Sequence, residues 1–343
     1  MNIEEHVPLS SLTTMKTGGN ARYVAFVDIE GEIDDVVAFA KRKGLPIIPL
    51  GGGSNIVASD NGIEAVFLKM SDEFTLERLE EYDGMVEVTA FAGFSWDSFV
   101  ETAVSKGWWG IENLSGIPGT VGAAAVQNIG AYGAALSETL IRVTAYDLKD
   151  GTFKTLKKFT NEECQFKYRT SIFKQERDRY FISRIRFRLS TEPRPRISYK
   201  DVAAHFSMSG NEPTLSNIRR AVIGIREGKF PPLSEYGTSG SFFLNPVVSA
   251  DEAKALSSHY TDMPLFEMPE GGVKIPLAWI LDKILHLKGY RFGKAFLWDK
   301  QPIVIAAESG ATSRDVLALA EHVRGIVRDT IGVEIEFEVR TEF

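Results

Sequence analysis

The segment YGTSGSFFLNPVV, residues 236–248, sets one hydroxyl, Ser241, between Gly240 and the pair Phe242–Phe243. Glycine lets backbone or ligand come close, and the aromatic pair keeps water out. A serine so placed either attacks a carbonyl, which needs a base to take its proton, or gives a proton away. The stretch offers no such base and is not G-x-S-x-G behind an apolar strand, so the nucleophile reading is weak. A capping hydroxyl and a proton donor both stay open. Arg169 in YRTSIFK carries a fork that matches a carboxylate, although Lys167 and Lys174 flank it as in any surface basic run. Glu338 lies in VEIEFEV, where alternation puts Val333, Ile335, Phe337 and Val339 on one face and Glu334, Glu336 and Glu338 on the other. By itself that is the wet face of an edge strand.

Two glycine arrays could hold a ligand. PLGGGSNIV follows a strand signal, and Gly51, Gly52, Gly53, Ser54 and Asn55 could present a concave row of backbone N–H groups to a diphosphate. It fits neither G-x-G-x-x-G nor a P-loop, so a plain tight turn fits as well. The second array, GIPGTVGAAA, spaces Gly116, Gly119 and Gly122 by three. Small residues in that row admit a flat ligand or a closely packed helix.

The elements around these residues alternate. Helical spacing at Ile33, Val36, Val37 and Ala40 precedes a short buried strand at 45–50, and a second strand follows the glycines. A strand at 86–93 and a helix at 95–107 continue this β-α-β rhythm. Residues 108–136 read as a loop or tightly packed turn region, with strands resuming at 141–148 and 180–190. STEPRPRIS, 190–198, reads as a linker. Beyond it come a helix at 214–229, a helix opened by Ser249, a strand at 302–309, a long amphipathic helix at 312–332 stopped by Gly332, and a closing strand at 333–339.

Composition removes several classes. At 343 residues the chain has room for two or three domains, and a net charge of −7 argues against nucleic-acid binding. One cysteine, Cys164, rules out internal disulfides, and five scattered histidines show no metal-ligand spacing. The absence of a signal peptide or long apolar run leads us to expect a cytoplasmic protein without membrane insertion.

LGGGSN, GIPGTVGAAAVQNIGAYG, YRTSIFK, GSFFLNP and EFEV occur here in the order and spacing of UDP-N-acetylenolpyruvoylglucosamine reductases, which the chain resembles over nearly its whole length. The resemblance implies an α+β protein: a two-part FAD-binding domain of the vanillyl-alcohol-oxidase/PCMH type and a C-terminal α/β substrate-binding domain. The first is expected over 1–195, with subdomains of about 1–70 and 71–195; the second is expected over 196–343, its last strand returning to the active site. It also implies non-covalent FAD, NADPH as co-substrate, and reduction of the enolpyruvyl group of a UDP-sugar to give UDP-N-acetylmuramate for bacterial cell walls. A monomer is expected.

Carried over by position, Arg169 is implied to clamp the substrate carboxylate, Ser241 to donate the proton, and Glu338 to assist. The flavin contacts implied are Gly51, Gly52, Gly53, Ser54, Asn55, Ser115, Gly116, Ile117, Pro118, Gly119, Thr120, Gly122 and Ala123. Tyr199 matches the tyrosine loop of one of the family's two types. Tyr132, Lys229, Asn245, Lys288 and Gln301 fall at the other substrate positions. Leu244 stands where a lysine is usual and Phe337 where a proline is usual. The alternatives are another FAD oxidoreductase of the same fold and a non-catalytic nucleotide-sugar binding protein.

Overall fold

The structure is a computed structural model that describes residues 1–73, 75–149, 156–269 and 271–341. The chain forms two compact units: Met1–Val7, Ala21–Gly53 and Glu64–Glu227 in one; Pro8–Asn20, Ser54–Ile63 and the chain from Gly228 onward in the other.

The first unit holds two sheets. Strands Asn2–Pro8, Asn20–Val27, Ile63–Met70 and Ile47–Pro49 stand in that order, the last two parallel. Tyr23, Val27, Val66 and Leu68 meet the helix Ile33–Lys43 through Ile33, Val36 and Ala40, its apolar positions. The second sheet is antiparallel, in the order Leu156–Thr160, Leu140–Asp147, Tyr180–Ser190, Met85–Phe91, Leu76–Tyr82. Its core centres on Trp96 and Phe99 of the helix Trp96–Ser105, which pack on Phe187. Ser95 caps that helix, its hydroxyl accepting the Ser98 N–H.

The stretch 108–136 is not only turn. It contains a helix, Val121–Gln127, capped by the Thr120 hydroxyl. Its small residues permit it: a Cβ on Gly122 would stand 2.7 Å from the Cβ of Ala92. The boundary expected at 195 also differs from the observed division. Val202, Phe206, Ile218 and Val222, on the helices Lys200–Ser209 and Leu215–Lys229, pack on Trp109 and Tyr132 in the first unit.

The second unit is a sheet of Gly237–Ser241, Gln301–Ala307, Ala295–Trp298 and Arg291–Phe292 under the helix Ser313–Ile331. That helix buries Val316, Leu319, Ala320, Val323, Val327 and Ile331, one stripe at helical spacing. Thr312 and Asp315 form a capping box at its start, and Gly332, at φ +74°, ends it. The closing stretch 333–339 keeps the expected alternation, with Val333, Ile335 and Val339 buried. It is not a regular strand. It pairs through an isolated bridge, Phe337 to Phe243, and just beyond it Arg340 bridges Ile56.

Candidate active site

The two glycine arrays meet backbone to backbone in the first unit. A Cβ on Gly51 would lie 2.6 Å from the Cβ of Ala123 and 2.9 Å from Oγ1 of Thr120; one on Gly52 would lie 2.7 Å from Cα of Gly119. Gly53, Gly116 and Gly119 have φ of +63°, +69° and +117°, the region that penalises a side chain. Each array also receives a cation. Lys69 Nζ donates to the Gly51 carbonyl at 2.5 Å, and Arg226 Nε to the Gly116 carbonyl at 3.0 Å. Burial lowers the pKa of both groups, because a desolvated cation is costly until an anion answers it. Glycine backbones with buried cations fit a cofactor carrying a diphosphate.

The loop 114–120 wraps the start of the helix Trp96–Ser105. Trp96 Nε1 donates to the Leu114 carbonyl at 2.9 Å, and Trp96 N–H to the Gly119 carbonyl at 3.1 Å. Ser115 is fully buried, its hydroxyl donating to the Glu112 carbonyl at 2.6 Å. Ile117 is half-buried and Pro118 exposed.

Arg169 and Tyr132 share an unusual backbone. Their φ values are +53° and +49°, strained for residues with side chains. Arg169 Nη2 donates to the Gly130 carbonyl at 2.8 Å, while Lys174 Nζ donates to Arg169's own carbonyl at 3.0 Å. Tyr132 is buried, and Tyr199, 44% exposed, stands edge-on to it with centroids 5.4 Å apart. Arg226 also shares a side-chain hydrogen bond with Tyr132.

In the second unit, Ser241 ends its strand opposite Val304 after a register shift, next to Gly240 at φ +73°. Phe242 N–H donates to the Ile303 carbonyl at 2.8 Å, Glu338 N–H to the Phe242 carbonyl at 2.9 Å, and Leu244 N–H to the Glu336 carbonyl at 2.9 Å. Asn55 ties into the same stretch: its Nδ2 donates to the Glu338 carbonyl at 3.2 Å and its carbonyl accepts the Arg340 N–H at 3.0 Å. The residue after Ser241 is thus paired with Glu338, and Asn55 ties to the same stretch through its side chain and its carbonyl. Asn245 is spent on a turn, its Oδ1 accepting the Leu277 N–H at 2.9 Å. Lys288 pairs with Asp282 at 2.9 Å, Lys229 ends the helix Leu215–Lys229, and Gln301 opens a strand. Ser54 is half-buried in the second unit.

A family model described as an FAD binding domain matches residues 21–157, and one described as the UDP-N-acetylenolpyruvoylglucosamine reductase C-terminal domain matches 231–341. The UDP-N-acetylenolpyruvoylglucosamine reductase of Pseudomonas aeruginosa is 37% identical over 339 residues, covering 98% of each chain. The chain belongs to the UDP-N-acetylenolpyruvoylglucosamine reductase family. The reductase of Neisseria gonorrhoeae is 38% identical over 335 residues, covering 96% of this chain and 95% of that one. Among solved structures, the reductase from Thermus caldophilus superposes over 99% of both chains with a TM-score of 0.67 at 22% identity. A VAO-type flavoprotein from Myceliophthora thermophila covers 94% of this chain and 73% of its own, with a TM-score of 0.51 at 10% identity. These two likenesses establish the fold.

Four residues around the glycine arrays have no signature in the motifs: Lys69 and Arg226, which donate to the Gly51 and Gly116 carbonyls, and Asp97, which accepts the Gly116 N–H, with its partner Arg219. A trace existed for two of them. Arg219 and Arg226 stand seven apart on one helix, and so on one side of it, beside an apolar stripe of Ile218, Ala221, Val222 and Ile225. Among the described residues, no helix is long and apolar enough to cross a membrane.

Proposed function

We infer that this chain reduces the enolpyruvyl group of UDP-N-acetylenolpyruvoylglucosamine to give UDP-N-acetylmuramate, with FAD as cofactor and NADPH as reductant. The observation that carries this is the relation to a reductase of that name along 98% of both chains, which spans both compact units. FAD, when bound, relays reducing equivalents from NADPH to the vinyl carbon of the substrate.

Reduction of that carbon leaves carbanion character beside the carboxylate, so the substrate passes through an enolate that needs a cation at its oxygens and one proton at carbon. Arg169 is proposed to supply the cation, its fork held by the bond from Nη2 to the Gly130 carbonyl and its backbone carbonyl by Lys174. Ser241 supplies the proton. A serine hydroxyl is a poor acid in water, and it becomes competent beside an enolate where Phe242 and Phe243, both fully buried, close the strand to solvent. Glu338 is proposed to assist from the paired stretch, protonated or balanced by a cation, since a bare carboxylate would repel the enolate. Tyr132, Tyr199, Lys229, Asn245, Lys288 and Gln301 are assigned to the UDP-sugar and nicotinamide nucleotide, and both glycine arrays to FAD. We place the activity in the cytoplasm of a bacterium, in the supply of cell-wall precursor, and take the protein to act as a monomer.

Anaerobic absorbance spectroscopy tests the reading. The purified protein should show a flavin spectrum that NADPH bleaches and the UDP-enolpyruvyl substrate restores. A flavin that reoxidises with oxygen but not with this substrate marks an oxidase instead.

A further inference from the structure

We propose that Asp97, neutralised by Arg219, is a positioning residue of the flavin site that fixes the Gly116 peptide in its ligand-binding conformation. This rests on the reading of the Gly116 loop as part of the FAD site. Asp97 Oδ1 accepts the Gly116 N–H at 2.6 Å. Arg219 grips the same carboxylate with both ends of its fork, Nη1 to Oδ1 at 2.6 Å and Nη2 to Oδ2 at 3.0 Å. On the other side of the peptide, Arg226 Nε holds the Gly116 carbonyl at 3.0 Å. Both polar groups flanking a left-handed glycine at φ +69° are therefore fixed by charged side chains. A Cβ there would sit 3.2 Å from Arg226 Cδ, so the approach is close.

Such a cluster is a poor way to gain stability. Two guanidinium groups and a carboxylate lose water, and partly buried ion pairs repay that cost only in part. What they provide is geometry, through short charge-assisted hydrogen bonds with fixed directions. The carboxylate itself would oppose an anionic cofactor, and Arg219 is what cancels it. That gives the two residues opposite electrostatic signs toward the same ligand. Burial raises the pKa of Asp97, but the Arg219 fork and the Gly116 N–H outweigh it and hold the carboxyl below its ordinary range. The charge is present at working pH.

The test is a titration of flavin-stripped protein with FAD, followed by flavin fluorescence, for wild type, Arg219→Ala, Asp97→Asn and the double variant. Asp147→Asn is the comparator, since Asp147 is fully buried and bonded to Lys157 and Arg179 in the same unit. Arg219→Ala should weaken FAD roughly ten-fold or more, the scale of one charge-assisted hydrogen bond. Adding Asp97→Asn should restore part of that loss in FAD affinity, whereas a purely structural pair would show its recovery in Tm alone. Asp147→Asn should lower Tm and leave FAD affinity unchanged. Additive losses in the double variant, or a loss for Arg219→Ala no larger than for Asp147→Asn, overturn the proposal. Should Arg219→Ala not fold, Arg219→Lys, which keeps the charge without the fork, must still weaken FAD; unchanged affinity contradicts the assignment. Wild type that takes up no FAD overturns the cofactor reading itself, and this one with it.

Discussion

The N–H of Glu338 donates to the carbonyl of Phe242 at 2.9 Å, locking the glutamate's stretch against the residue that follows Ser241. Neither this bond nor the one from Leu244 to Glu336 uses the N–H of residue 337. A proline at 337, usual in the relatives the motifs resemble, would therefore break neither bond. Phe337 adds packing in exchange: its ring centroid lies 5.4 Å from Phe242 and 5.7 Å from Phe243.

Removing that ring should loosen the pairing of Phe242–Leu244 with Glu336–Glu338. Phe337→Ala is expected to lower unfolding stability by about 1–3 kcal/mol, below the full cost of a completely buried phenylalanine because Phe337 is only partly buried. Urea denaturation measures it. An unchanged midpoint would show that the three rings contribute no net packing.

Gly52→Ala probes the meeting of the two glycine arrays. The new Cβ would press on the Gly119 backbone at 2.7 Å, and no side-chain rotation relieves a clash with backbone. The variant should fold and purify with little or no flavin colour. Full flavin occupancy would show that the contact between the arrays does not shape the cofactor site.

Cys164 is fully buried, and burial pushes its thiol up to about 12. At pH 8 the thiolate fraction is then on the order of 10⁻⁴, against roughly a quarter for a free cysteine. Ellman's reagent should leave native protein unlabelled at pH 8 and label one thiol per chain in urea. Fast native labelling contradicts the assignment of Cys164 as a packing residue.

Legibility from sequence followed the range of the physics. Local signals carried the helix starts at Ser95, Ser249 and Thr312 and the stop at Gly332, because caps and periodicity act within a few residues. The alternation over 333–339 gave the right buried face, although the stretch pairs through an isolated bridge. The helix Val121–Gln127 was hidden because Gly116, Gly119 and Gly122 read as turn and outweighed the helix-favouring alanines, whereas Gly122 is there for a contact with Ala92, about thirty residues earlier in sequence. Asp97 and Arg219 were invisible for the same reason. Their pairing spans 122 positions, and each alone looks like an ordinary helix-surface charge. The boundary at 195 followed the proline-rich stretch, whereas the observed division follows the packing of Ile218 and Val222 on Trp109 and Tyr132.

The most direct test is stopped-flow measurement of Ser241→Ala in the two half-reactions, under anaerobic conditions. Flavin bleaching by NADPH should run near the wild-type rate, since that step takes no proton from Ser241. Reoxidation by the UDP-enolpyruvyl substrate should slow by about 10²–10⁴-fold, the usual contribution of a positioned general acid. Ser241→Cys should recover part of the loss, because a thiol is the stronger acid, with a pKa of about 8.5 when free. Wild-type reoxidation in Ser241→Ala, at unchanged flavin content, would make Ser241 a structural hydroxyl and contradict the proposed proton transfer.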